Sequence, residues 1–150
     1  MARANENGMS LNTGPITWQD PKSVAAEAYR ILRTNLQFTN PDRPLKSLLV
    51  TSPTVGDGKS TVTSNLAVSF AQAGRSVIVV NADLRRPSVH KMFQVPDGLG
   101  LTSVLVGQAT VKEALRDTQV PNVKLLTAGP MPPNPAELLE SQRMRAVMDE

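Results

Sequence analysis

The sequence predicts an α/β fold in which a parallel β-sheet carries helices on both of its faces. Short apolar runs at residues 47–52, 76–80 and 122–127 predict buried strands. Helical patterns alternate with these runs, and this alternation is typical of parallel sheets. Aromatic residues make up only 3% of the chain, so Leu, Val, Ile and Ala must build the core.

The domain organisation is simple, because 150 residues suffice for one domain with a sizeable core. Residues 1–20 are polar and contain Gly8, Gly14 and Pro15, so they predict a flexible N-terminal arm. Residues 21–150 are predicted to form the functional domain. Its first helix should have Asp20 as N-cap and end near Phe38.

Composition excludes several classes of function. The 16 basic and 13 acidic residues leave a net charge of only +3, which does not indicate a nucleic-acid partner. There is no cysteine and only one histidine, His90, so thiolate and histidine metal clusters are not expected. Neither a transmembrane run nor a signal peptide is evident. We therefore expect a cytoplasmic chain that reaches the membrane only through a partner.

A glycine-rich segment from Pro53 to Thr61 follows the first predicted strand and precedes a helical pattern. This is the context of a phosphate-binding loop, in which backbone N–H groups and a helix N-terminus surround phosphate oxygens. We predict that the nucleotide contacts are made by Val55, Gly56, Asp57, Gly58, Lys59, Ser60 and Thr61. The fold prediction thus becomes a P-loop NTPase-like sheet.

Individual residues of this loop have separate tasks. Gly56 and Gly58 allow the backbone to turn inward, and Lys59 reaches the β- and γ-phosphates. The Ser60 hydroxyl is a hard oxygen ligand suited to Mg²⁺. The simpler alternative is a glycine-rich turn with an incidental Gly-Lys-Ser. Pro53 stands where the usual pattern has its first glycine.

A second polar segment follows the strand at 76–80 and contains Asp83 and Arg85. The carboxyl ends of parallel strands face one ligand crevice, so both side chains should point toward the phosphates. Asp83 can hold Mg²⁺ or orient a nucleophile, and Arg85 can balance charge on a transferring group. With Lys59, they are the predicted catalytic residues. The alternative is a solvated loop with a local Asp–Arg pair.

Five segments together resemble the bacterial tyrosine kinases, or BY-kinases, of exopolysaccharide and capsule synthesis. The resemblance covers the chain from about Asp20 to Glu150. The segments that carry it are Glu27–Leu36, Gly56–Thr61, Asp83–Pro87, Gly100–Leu105 and Pro133–Leu139.

The resemblance implies Mg²⁺-dependent transfer of the ATP γ-phosphoryl group to tyrosine hydroxyls, including autophosphorylation. The family's Walker A′ motif, Asp-x-Asp-x-Arg, falls on Asn81, Asp83 and Arg85. Asn81 is a departure: its amide oxygen can still bind a metal with Ser60 and Asp83, but it cannot act as a general base. The resemblance also implies a membrane-anchored activator or chain-length-determinant protein as partner.

A helix motif of the family, Glu-x-x-Arg-x-x-Arg, falls on Glu27, Arg30 and Arg33 and implies an interface in a ring-like homo-oligomer. Helical geometry predicts an apolar side that includes Val24 and Ile31, with the three charged residues opposite and free to face a partner. The alternative is a solvated face with an i,i+3 Glu–Arg pair.

Two further departures concern features that the family has and this sequence lacks. No Walker B strand is present, and Tyr29 is the only tyrosine. We therefore expect a chain truncated before Walker B, with an exposed apolar sheet edge and weak or no catalysis.

Other functions remain open. A Par/Min-type switch ATPase would carry a lysine where this sequence has Thr54. A nucleotide-binding regulator without transfer activity would fit Asn81 and the missing Walker B motif. A GTPase would need an Asn-Lys-x-Asp segment, which is absent.

Overall fold

A computed structural model describes residues 14–39 and 42–150 of the chain. The helices are α1 Ile16–Gln19, α2 Val24–Phe38, α3 Lys59–Gln72, α4 Val89–Met92, α5 Leu101–Leu105, α6 Val111–Ala114, α7 Pro135–Glu140 and α8 Gln142–Asp149. The strands are β1 Val77–Val80, β2 Leu115–Asp117 and β3 Val123–Leu126. In these two ranges, no helix combines the length and apolar character needed to cross a bilayer.

The sheet has the strand order β1-β3-β2. Strand β1 pairs with β3 in parallel, from Val77 opposite Val123 to Val80 opposite Leu126. Strand β2 pairs with β3 antiparallel, so the sheet is mixed. The strands predicted at 76–80 and 122–127 are therefore confirmed as parallel neighbours.

Alternate side chains of β1 and β3 enter two separate cores. On one face, Val79 and Leu125 join α3 and α4 in a cluster that includes Val68 and Phe93. On the other face, Leu126 joins α5 in a cluster against which α7 and α8 pack. This two-sided burial is expected of a sheet with helices on both faces, and it confirms the predicted fold class.

The predicted strand at 47–52 is not formed. Residues 47–52 have no regular secondary structure, and Leu49 is 84% exposed. A buried strand needs a neighbour on each side and cover on both faces. Ile78 of β1 is itself 57% exposed, so the sheet is not fully covered on both faces. The predicted strand–helix–strand unit through α3 is therefore incomplete, and the apolar run that was expected to be buried lies partly exposed.

The N-terminal boundary differs from the prediction. Residues 1–13 of the predicted arm lie outside the described residues, but Ile16–Gln19 form helix α1. Asp20 ends α1 instead of starting the next helix. Helix α2 has Ser23 as its N-cap, and the Ser23 hydroxyl accepts a hydrogen bond from the Ala26 amide at 3.1 Å. The hydroxyl thus satisfies an amide that the helix itself leaves unpaired.

Helix α2 presents the opposite face from the one predicted. Val24 is 89% exposed and Ile31 is 55% exposed, whereas Ala26 is buried. Arg33 contacts α3, where it donates a hydrogen bond to the Ser69 carbonyl at 2.8 Å. The side of α2 that carries Arg33 therefore meets α3, while Val24 and Ile31 lie on the exposed side.

A buried polar network joins α1 to α3. Thr17 and Asn65 are each only 1% exposed. The Thr17 amide donates to Asn65 Oδ1 at 2.9 Å, and Asn65 Nδ2 donates to the Thr61 carbonyl at 2.9 Å. Gln72 Nε2 donates to the Thr17 carbonyl at 2.8 Å. Asn65 therefore links the N-terminal helix to the first turn of α3.

We predict that Asn65→Ala lowers the free energy of unfolding by about 1–3 kcal/mol, because the buried Thr17 amide loses its acceptor. Urea denaturation would measure the change. Asn35→Ala, at an exposed position of α2, is the matched control and should unfold near the wild-type midpoint. Equal midpoints for the two variants would contradict a stabilising role for the network.

Candidate functional site

The phosphate-loop sequence leads directly into α3. Gly56 and Gly58 have φ values of 90° and 87°, and Gly58 is the N-cap of the helix. A Cβ atom at either glycine would meet nothing within 4 Å. Glycine is therefore required at both positions by backbone conformation and not by space. The turn brings the unpaired amides of the first turn of α3 to the end of the loop.

Lys59 folds back across the loop. Its Nζ donates a hydrogen bond to Ser52 Oγ at 3.0 Å, and Ser52 Oγ donates to the Thr54 carbonyl at 3.0 Å. The ammonium group is thus held at the loop by a neutral hydroxyl and not by a carboxylate. Its charge remains available to an anion.

Asp57 forms hydrogen bonds across the loop to Thr54. Its carboxylate accepts hydrogen bonds from the Thr54 hydroxyl and from the Thr54 amide, the latter at 3.1 Å. These two bonds, with a smaller contribution from the Lys59 charge, lower the pKa of the Asp57 carboxyl below its ordinary value. Asp57 is exposed, and Val55 and Thr61 are also exposed. The predicted nucleotide contacts therefore line an open surface.

The second motif begins where β1 ends. Asn81 is buried, and its amide continues the pairing of β1 by donating to the Leu126 carbonyl at 2.9 Å. Asp83 Oδ1 accepts hydrogen bonds from the amides of Arg85 at 3.3 Å and Arg86 at 2.9 Å. This turn fixes the Asp83 carboxylate, and Arg85 is exposed beside it.

A pair of hydroxyl groups joins the first turn of α3 to the segment that follows the second motif. Ser88 Oγ donates a hydrogen bond to Ser60 Oγ at 2.8 Å. Ser60 lies in the first turn of α3, and Ser88 lies two residues after Arg86. The first turn of α3 therefore contacts the segment that follows the Asp83 turn. That Asp83 and Arg85 point toward bound phosphates stays a prediction.

The donor groups fit a hard divalent cation in part. The Ser60 hydroxyl and the Asp83 carboxylate are oxygen ligands of the type that Mg²⁺ prefers. Asn81 Oδ1 already accepts a hydrogen bond from the Asp83 amide at 3.2 Å, and Asn81 Nδ2 is buried without a partner among the described residues. The metal role predicted for Asn81 therefore depends on the second lone pair of Oδ1, while its amide group remains a free donor.

The three predicted interface residues have different surroundings. Arg30 forms an ion pair with Glu27 and also donates to the Pro21 carbonyl. The expectation that all three side chains are free to face a partner is wrong for Arg33, because Arg33 donates to Ser69 of the same chain. A shallow groove runs along this side of α2.

Sequence reasoning missed three polar residues of this site. Ser52 holds Lys59, Thr54 holds Asp57, and Ser88 contacts Ser60. Ser52 ends the run predicted as a strand, and Ser88 directly follows Pro87. No residue pattern indicated which hydroxyl would meet which partner, because these contacts join separate segments.

A family model described as ParA, NUBPL iron-transfer P-loop NTPase, matches residues 45–137. The chain belongs to the ParA family of P-loop NTPases. P-loop NTPases bind nucleotides through a glycine-rich loop of the kind found at residues 53–61. The description also mentions iron transfer, but the 150 residues include no cysteine and so offer no thiolate ligand for iron.

Proteins similar to this ParA-family chain are named tyrosine kinases. Tyrosine-protein kinase YwqD of Bacillus subtilis (strain 168) is 43% identical over 97% of this chain and 61% of the relative. Putative tyrosine-protein kinase CapB of Staphylococcus aureus is 38% identical over 87% of this chain and 57% of the relative. This chain therefore spans about three fifths of the length of these two relatives.

Solved structures agree with the relatives. The kinase domain of Escherichia coli tyrosine kinase ETK has a TM-score of 0.85 and 34% identity, and it covers 89% of this chain and 52% of that domain. The resemblance to the bacterial tyrosine kinases is therefore confirmed.

The Asp57 contact predicts a pH dependence. Because the pKa of Asp57 is lowered in the folded protein, its contact with Thr54 stabilises the loop at any pH above the ordinary pKa of an aspartate. The stabilisation is lost in acid below about pH 4, as the pH falls through the lowered pKa. We expect Thr54→Val to move the pKa of Asp57 back up, because it removes the principal hydrogen bond. A carboxyl NMR titration would measure this.

Thr63→Val is the matched control for this titration, since Thr63 lies in α3 and is not among the groups that lower the pKa of Asp57. It should leave the Asp57 midpoint unchanged. An Asp57 midpoint that is identical in wild type and Thr54→Val would show that the hydroxyl contact is absent in solution.

Proposed function

We propose that this chain is the Mg-ATP-binding part of a bacterial protein tyrosine kinase that transfers the ATP γ-phosphoryl group to tyrosine. The observation that carries the proposal is the contact between Ser60 and Ser88, because it places the first turn of α3 beside the segment that follows Asn81–Arg85 in the chain. The names of the relatives support the same activity.

Triphosphate binding would use the loop and its lysine. Backbone amides around Gly56 and Gly58, with the N-terminus of the 14-residue helix α3, supply donors for phosphate oxygens. Lys59 would exchange its neutral partner Ser52 for a β- or γ-phosphate oxygen. This exchange is favourable, since it replaces a hydroxyl with an anion.

Magnesium would be held by Ser60 and Asp83, with Asn81 as the third predicted ligand. When bound, Mg²⁺ would neutralise charge on the phosphate oxygens. Asp83 is suited to this role, because its turn already fixes the position of the carboxylate.

The proposed transfer breaks the bond between the γ-phosphorus and the oxygen that stays with ADP, and it forms a bond to the tyrosine oxygen. The hydroxyl proton leaves to solvent or to a base, and Asn81 cannot accept it. Arg85 would balance charge on the transferring group, since it is exposed next to the fixed Asp83 turn. Tyr29 lies within helix α2, which makes it a poor candidate for the acceptor.

We further propose that the protein works as a homo-oligomer on the cytoplasmic side of the membrane. Glu27 is exposed and Arg30 is partly exposed, whereas Arg33 would reach a neighbour only if it left Ser69. A membrane-anchored activator or chain-length-determinant protein is the proposed partner, and exopolysaccharide or capsule synthesis is the proposed process. Both rest on the resemblance to the bacterial tyrosine kinases.

A nucleotide-binding regulator without transfer activity is the second candidate. Asn81 favours it, because an amide cannot take the proton of a tyrosine hydroxyl. A Par/Min-type switch ATPase is less favoured within the ParA family, since Thr54 occupies the place of its extra lysine and donates to Asp57.

Lys59→Met should weaken ATP binding about 10- to 100-fold, because one charge-assisted hydrogen bond is lost. Isothermal titration calorimetry with Mg-ADP and a non-hydrolysable ATP analogue would measure the affinities. Lys112→Met, at an exposed position of α6, is the matched control and should bind like wild type. Full affinity in Lys59→Met would remove the basis of the nucleotide-binding proposal.

Asn81→Asp tests the chemical step. In the full-length gene product, the wild type should transfer label from γ-labelled ATP to tyrosine, and Asn81→Asp should raise the initial rate about tenfold or more if position 81 limits proton transfer. Phosphotyrosine is identified by acid hydrolysis and separation of phosphoamino acids. Nucleotide binding without label transfer in both proteins would favour the regulator.

A further inference from the structure

Ser88 makes a contact that its place in the chain does not explain. It is the N-cap residue of α4, and a serine at this position usually accepts a hydrogen bond from an amide of the helix. Here the Ser88 side chain makes no such cap bond. Its hydroxyl instead crosses to α3 and donates to Ser60 Oγ at 2.8 Å.

The packing around Ser88 holds it at this position. Val89 begins α4 and Phe93 is its C-cap residue. Both side chains are almost fully buried in the cluster that contains Val68 of α3. Pro87 restricts the backbone on the other side. The distance between the two hydroxyls is therefore determined by core packing and not by two freely moving side chains.

A hydrogen bond from Ser88 determines what Ser60 can offer. A serine hydroxyl has one proton and two lone pairs. When Ser88 donates to one lone pair, the Ser60 side chain is held in one rotamer, and the second lone pair and the proton remain available. A fixed hydroxyl with one free lone pair is prepared to bind a cation without first losing rotamer freedom.

We propose that Ser88 is a positioning residue that holds the Ser60 hydroxyl ready for the Mg²⁺ of the bound nucleotide. This inference rests on the proposed Mg-ATP function. It links the turn after β1 to the phosphate loop through one hydrogen bond, and it assigns to Ser88 a role in metal-dependent affinity. Ser88 acts through Ser60 and does not itself touch the nucleotide.

The decisive measurement is the effect of Mg²⁺ on ADP affinity, by calorimetry with saturating Mg²⁺ and with EDTA. Ser88→Ala should weaken binding about three- to tenfold with Mg²⁺ and leave metal-free binding unchanged, because one hydrogen bond to the metal ligand is lost. Ser88→Thr keeps the hydroxyl and should restore the wild-type Mg²⁺ effect. Equal affinities for wild type and Ser88→Ala in both conditions would overturn the inference.

A double variant separates this role from a general loss of structure. If Ser88 acts through Ser60, then Ser88→Ala should have no further effect on affinity in a Ser60→Ala background. Additive losses would overturn the proposal. Ser141→Ala is the matched control: Ser141 is a partly buried N-cap serine of α8, and its loss should leave the Mg²⁺ effect unchanged.

Folding is checked by circular dichroism and thermal melting of each variant. If Ser88→Ala reduces the folded fraction, Ser88→Cys keeps the volume with only a weak donor and should show the same loss of the Mg²⁺ effect. A wild-type chain that binds no ADP in either condition would overturn the proposed function and this inference together. Wild-type binding with an unaltered Ser88→Ala would overturn the inference alone.

Discussion

The burial of α3 is the constraint on which the site depends. The middle of this helix lies between the sheet and helices α1 and α2, and Ser64, Val68 and Ser69 are fully buried there. A helix packed on several sides has little freedom to slide or rotate. The position of its N-terminus is therefore set, and so are Lys59 and Ser60. The phosphate loop is itself largely exposed, but it is attached to a helix whose middle is buried.

The sequence predicts local structure well where a backbone conformation requires one particular residue type. Gly56 and Gly58 adopt the left-handed conformation that a phosphate loop needs, and glycine is the residue that tolerates it. The strands at Val77–Val80 and Val123–Leu126 were also predictable, because their alternate residues reach two cores. The glycine conformations depend on the loop segment itself, and each strand depends only on pairing with another apolar strand.

Other features depend on contacts between distant segments. The run at 47–52 has the composition of a strand, yet strand formation is decided by neighbours, and Leu49 lies in solvent. Helix α2 is amphipathic, yet Arg33 and Ala26 determine which side meets α3. Periodicity identifies the two faces of a helix but does not identify which one is buried. The contact of Ser88 with Ser60 could not be predicted from the sequence either, because several loop residues carry a hydroxyl group that could have made it.

The Asp83 turn has a consequence for the kinetics of ligand capture. Both amides that bind Asp83 Oδ1 belong to the same short turn, so the turn is held by its own hydrogen bonds. The conformational entropy of this segment is therefore lost once, when the chain folds, and is not lost again at each encounter with a ligand. A preorganised turn of this kind favours rapid association, since no slow loop rearrangement has to precede productive binding.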